Sequence, residues 1–154
     1  MIPMETTLQK RLAPRLADKA KEVIVDIITY LFVVLFVYTA TDKFWKIESF
    51  QIFMSRLDLF HYTGKYVALM IPSSEVFISV LLLIHKTRRL GMFLSLSLMT
   101  VFTAYLIYMK LTAEVLPCHC GGAISSLSWV QHIWFNIILI LMSVAALILD
   151  KKTE

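Results

Sequence analysis

Cysteine is scarce in this chain of 154 residues, which holds only two, and charge is scarce as well, at 17% of the residues. The first shortage rules out an internal relay of electrons between two cysteine pairs. The second, with 58% hydrophobic residues and a mean hydropathy of +0.74, lies well outside the composition of a soluble domain. Also missing are the short alternating strands that a membrane barrel needs, any internal repeat or low-complexity tract, and any composition shift that would mark a domain boundary. No interleaving of basic and aromatic residues suggests nucleic acid, and the net charge of +4 is mostly a matter of membrane flanks.

What the chain does have is four long apolar runs, Val23 to Ala40, Tyr66 to Ile84, Leu90 to Met109 and Trp129 to Leu149. Each is about 18 to 21 residues, and at about 1.5 Å rise per residue that length crosses a hydrocarbon core roughly 30 Å thick. Lipid offers no partner for backbone N–H and C=O groups, so such segments must be helical. The expected fold is all-α: a four-helix transmembrane bundle over residues 23–149, in contact with the lipid bilayer on all sides, followed by a short tail at 150–154.

The distribution of Lys and Arg predicts an orientation. The arm before the first run, the link at Lys86, Arg88 and Arg89, and the C-terminus carry ten of them, and the other two connections carry five. Both termini are therefore expected on the cytoplasmic side, and the connection before the fourth run outside, where disulfides persist. Residues 1–22, with Leu8, Leu12 and Leu16 at helical spacing among basic residues, read as an amphipathic arm on the inner membrane surface. Pro14 argues against one continuous helix there. A cleaved signal peptide is not expected, because the arm is long and Tyr38 and Ala40 form no small-x-small site.

The first connection, Thr41 to Lys65, is too long for a turn, and Phe44, Ile47, Phe50, Met54 and Leu57 recur at helical spacing. This predicts an outer interfacial helix with Trp45 as its aromatic anchor. The link from His85 to Arg89 is tight enough to make the second and third spans an antiparallel hairpin. Ser125, Ser126 and Ser128 are available to cap the fourth helix.

Both cysteines stand in Pro117-Cys118-His119-Cys120-Gly121-Gly122. A disulfide across one intervening residue requires a bend that brings the Cα atoms within roughly 4.4 to 6.8 Å, and so small a ring is strained and hence easily reduced. It constrains almost no unfolded chain, so a stabilising role is hard to motivate. Gly121 and Gly122 permit conformations closed to other residues and expose N–H groups that can stabilise a thiolate, and His119 can add positive charge nearby. The favoured reading is a redox-active pair. Two others stay open: buried cysteines as small apolar fillers, and metal ligation. Cys118, His119 and Cys120 are too crowded to bind one tetrahedral zinc together, whereas the two thiolates with His132 would suit Cu(I).

Polar residues inside spans are costly and usually face the bundle interior. Glu75 lies about 13 Å along the second span from Tyr66 by helix rise, one turn after Pro72. On the fourth run Trp129, His132 and Asn136 share a face. Glu75, His132 and Asn136 are expected to converge beneath the cysteine loop, either handling protons during thiol exchange or as a hydrogen-bonded network between helices. Asp26 is expected to reach the headgroups, and Asp42 and Lys43 to pair with each other or to position the outer helix.

Taken together, Thr41-Asp42-Lys43 with Phe50, Ile71-Pro72-Ser73-Ser74-Glu75, the cysteine hexapeptide and Asn136 resemble the MauE branch of the DoxX-like membrane proteins, over nearly all of residues 23–149. The resemblance implies a four-helix protein of the bacterial inner membrane associated with redox partners; the name-giving member is implicated in maturing a disulfide-rich periplasmic dehydrogenase subunit. The usual family pattern is Cys-x-Cys-Phe-Gly, and this chain has Gly121 where an aromatic is commoner. By resemblance, Cys118 and Cys120 are the redox candidates. The function expected is thiol–disulfide exchange with a periplasmic or membrane partner protein, electrons passing to a quinone or another subunit. The alternatives are a non-catalytic scaffold subunit of a membrane complex and a Cu(I) or other metal-handling protein.

Overall fold

The structure, a computed structural model, describes residues 4–55, 62–112 and 129–150. They form five helices: α1 (Met4–Trp45), α2 (Ile47–Ser55), α3 (Gly64–Leu83), α4 (Arg88–Thr112) and α5 (Trp129–Asp150). Among the described residues there is no strand. Four segments are long and apolar enough to cross a membrane: Asp18–Trp45, Gly64–Leu83, Arg88–Tyr108 and Val130–Asp150. The chain is thus a multi-pass membrane protein.

The first helix departs from the sequence reading. It runs on through Pro14 as one element. A proline removes one N–H donor and crowds one carbonyl, and the remaining bonds of a long helix carry the chain past it. At the other end Lys46 N–H donates to the Asp42 carbonyl at 3.1 Å and Phe50 N–H to the Lys46 carbonyl at 3.0 Å, so helical bonding continues from α1 into α2. The expected outer helix forms as α2, separated from the first span only by a turn at Lys46. The capping role foreseen for Ser125, Ser126 and Ser128 lies outside the described residues.

The helices close a ring in which α1 packs on α3, α3 on α4, α4 on α5 and α5 back on α1, while α2 extends the contact with α3. Each helix buries one stripe. On α1 it is Val25, Ile28, Phe32, Phe36, Ala40 and Lys43; on α3 it runs from Gly64 and Ala68 through Pro72, Glu75 and Ile78 to Leu82. These steps of three and four residues are the helical period. The opposite faces expose Ile27, Val34, Phe77, Val101 and Leu141, as suits a lipid surround.

Between helices the residues are small or hydroxylated, which lets backbones approach. A Cβ on Gly64 would lie 2.6 Å from the Ser55 nitrogen, so the end of α2 rests directly on the start of α3. Gly91 plays the same part between α4 and Leu82 of α3, with a Cβ–nitrogen distance of 3.0 Å. Ser143 on α5 donates to the Met92 carbonyl on α4 at 3.1 Å. The tight link between α3 and α4, foreseen as a hairpin, is closed by Thr87, whose hydroxyl donates to the Leu81 carbonyl at 2.9 Å. That bond satisfies one of the carbonyls left free at the end of α3.

Candidate functional site

Two ionic contacts tie the bundle together at different heights. At one end Arg88, in the first turn of α4, reaches two other helices: Nη1 donates to Asp26 of α1 and Nη2 to Asp150 of α5, each at 2.7 Å. Asp26, expected to reach the headgroups, is bonded to Arg88, because the planar guanidinium fork can serve two carboxylates at once. This contact closes three helices at their Arg88 end.

The second contact lies in the interior, toward the Gly64 end. Lys43 Nζ donates to Glu75 Oε1 at 2.5 Å, and the two side chains are 9% and 8% exposed. The Thr39 hydroxyl, which donates to the Phe36 carbonyl at 3.1 Å, also stands beside the carboxylate. Lys43 reaches this position because it continues the buried stripe of α1, one helical step beyond Phe36 and Ala40. The expected pairing of Asp42 with Lys43 does not form. Asp42, one residue round the helix, turns outward and takes Lys46 as its partner at 2.7 Å.

The local fold of α3 sets the depth of Glu75. Ser55 to Lys43 on the α1–α2 rod is twelve residues and Gly64 to Glu75 on α3 is eleven, so both contacts belong to one antiparallel register. By helix rise the pair sits roughly 17 Å from the Gly64 end. Pro72, fully buried one turn earlier, removes a helical donor there. Around it the Ser73 and Ser74 hydroxyls donate to the Leu69 and Ile71 carbonyls, at 2.8 and 2.7 Å, and below the pair Ser79 donates to the Glu75 carbonyl at 2.9 Å.

The other polar candidates come from α5. His132 is half-buried with its ring centroid 6.1 Å from that of Phe102 on α4, edge to face, and lies near enough to Lys43 to feel its charge. Asn136, one turn further, is 2% exposed. Its height follows from the packing registers. Leu82 to Glu75 is seven residues, and seven residues on from Gly91, which touches Leu82, is Leu98. Met92 to Leu98 is six residues, and six back from Ser143, which bonds Met92, is Ile137. Asn136 therefore stands at the level of Glu75, across the ring from it.

Glu75 Oε2 and Asn136 Nδ2 are both enclosed with no hydrogen-bond partner among the described residues. Among those residues no three of His, Cys, Asp and Glu gather as metal ligands would. Cys118, His119, Cys120, Gly121 and Gly122 lie outside the described residues. The segment holding them joins Thr112 to Trp129, and both helix ends belong to the Gly64 end of the bundle, opposite Arg88.

Sequence reasoning gave Lys43 a place beside Asp42 or under the outer helix and missed its pairing with Glu75. The signal was present, since Ile28, Phe32, Phe36, Ala40 and Lys43 keep one helical face.

The family model described as "Methylamine utilisation protein MauE" matches residues 21–149. The chain belongs to the MauE family. No curated protein and no solved structure matches it. The MauE match takes in all four candidate spans, the Lys43–Glu75 pair, both cysteines and Asn136.

Proposed function

We propose that this MauE-family protein exchanges thiols and disulfides with a partner protein through Cys118 and Cys120. What supports the reading is that the only two cysteines in the sequence fall between Thr112, the end of α4, and Trp129, the start of α5, and that both of these helix ends belong to the bundle end nearer the Lys43–Glu75 pair. Family membership and the excess of Lys and Arg on the N-terminal arm, the link at Lys86, Arg88 and Arg89 and the C-terminus support a place in the bacterial inner membrane, with both termini and the basic arm cytoplasmic and the cysteines outside.

The exchange balances in itself. A partner thiolate attacks the Cys118–Cys120 disulfide, forming a mixed disulfide and releasing one cysteine as thiolate. A second partner thiolate then breaks the mixed bond, so the partner gains a disulfide and Cys118 and Cys120 become a dithiol. Returning the dithiol to a disulfide releases two electrons and two protons. With no second cysteine pair in the chain, the electrons pass to a quinone or to another subunit. The same steps reversed would reduce a partner.

The test is alkylation of Cys118 and Cys120 in intact cells, with and without reductant, together with Cys118→Ser and Cys120→Ser variants. Labelling only after reduction, and a partner trapped as a mixed disulfide by one single variant, are expected. A double Cys-to-Ser variant that fully restores a deletion strain would overturn the exchange and leave a scaffold. Stoichiometric copper on the purified protein that alkylation removes would assign the pair to metal handling instead.

A further inference from the structure

The two ionic contacts differ in what their protons can do. Arg88 stays charged at any accessible pH, so its contact with Asp26 and Asp150 is a fixed clamp. Lys43 and Glu75 are each titratable, and each is enclosed. An ion pair of this kind is a poor device for stability, because taking two charges out of water costs about as much as their attraction returns. Ionisable groups at such a place more often serve transport of protons or ions.

The pair is also incomplete. Glu75 is 6% exposed and Asn136 2%, and the unpartnered atoms are an acceptor, Oε2, and a donor, Nδ2. Both atoms are buried, Glu75 on α3 and Asn136 on α5, and the packing registers put the two residues at one level. A water molecule, which both donates and accepts, complements either of them. His132 stands one turn from Asn136 toward the Trp129 end, half-buried, and an imidazole can pass a proton between its two nitrogens.

The geometry points to a proton-exchange site inside the bundle, formed by Glu75, Lys43 and Asn136 around bound water, that communicates through His132 with the end carrying the 113–128 connection. The charged groups facing it are few. From α1 there is Lys43, with Asp42 turned away to Lys46; from α5 there is His132; and α4 carries no charged residue between Arg89 and Lys110. In the exchange Glu75 Oε2 takes a proton from the water and becomes the neutral acid. The water recovers its proton from one nitrogen of the His132 imidazole as the other nitrogen takes one up on the side of the Trp129 end. This assignment rests on the thiol reading only for its use: oxidation of the dithiol releases two protons, and the site offers them an acceptor.

Infrared difference spectra of the full chain in lipid nanodiscs, with glutamate labelled by carbon-13, test it across a pH titration. An acid carbonyl band is expected that appears on acidification, shifts in deuterium oxide, and is lost in Lys43→Gln/Glu75→Gln, a variant that keeps the interior neutral. Asn136→Leu should abolish the deuterium shift on the wild-type timescale while leaving the acid band. A wild-type protein with no such band, or an Asn136→Leu protein that exchanges like wild type, would overturn the site even where the cysteines cycle. Conversely, the band in a protein whose cysteines never change redox state upholds the site and removes the thiol reading.

Discussion

Lys43 and Glu75, 32 residues apart in the chain, meet as an ion pair enclosed between α1 and α3. Both side chains are nearly closed to bulk solvent. Removing one partner strands the other, and that asymmetry makes the pair measurable.

Lys43→Met alone, or Glu75→Leu alone, should destabilise the bundle by about 3 to 5 kcal/mol, the cost of leaving a buried charge uncompensated. The double variant should regain most of that loss. Thermal unfolding in mild detergent of the wild type, the two singles and the double gives the coupling directly. Additive losses in the double would mean that the pair is not a unit.

At the opposite end the two carboxylates on Arg88 should not be equivalent. The Asp26 side chain is 47% exposed and that of Asp150 18%. Asp26→Asn should cost less than about 1 kcal/mol, as for a surface ion pair. Asp150→Asn should cost more, about 1.5 to 3 kcal/mol for a charged hydrogen bond. Arg88→Lys should fail to restore both contacts, since a point charge has no fork. Unfolding midpoints of the three variants check the order.

Gly64→Ala should loosen α2 from α3. Its Cβ would stand 2.6 Å from the Ser55 nitrogen and 2.8 Å from the Met54 carbonyl carbon, and backbone cannot step aside as a side chain can. A loss of about 1 to 3 kcal/mol is expected, as for overpacking. Gly91→Ala, at 3.0 Å from the Leu82 nitrogen, should lose less. Hydrogen exchange of the α2 amides separates a local opening from a global loss.

Ser143→Ala should cost about 0.6 kcal/mol, the average of a hydrogen bond between membrane helices. Ser143→Leu should cost more, because Ser143 is fully buried and its hydroxyl is directed at the Met92 carbonyl. Equal losses in the two would show that the α4–α5 contact yields freely.

The four spans were legible because lipid demands long apolar runs and nothing else in the chain imitates them. Glu75 and Asn136 were legible as polar residues within such runs. Lys43 was not, because a lysine at the end of a span can as well extend to the headgroups, and only packing decides which way it turns. The partner of Asp26 was not legible either, because Arg88 lies 62 residues away. The path of α1 through Pro14 escaped because proline's cost to a helix is local, and a sequence rule cannot weigh it against the bonds on either side.

The common register of α1, α2 and α3 fixes a count as well as a contact. One residue inserted between Phe36 and Lys43 would turn everything beyond it by about 100°. Lys43 would then swing out of the interior, and Asp42, now at the surface with Lys46, would shift as well. The same insertion between Ser55 and Gly64 would change no angle within either helix. Length is thus constrained between Phe36 and Ser55, so insertions and deletions in MauE-family chains should spare that stretch.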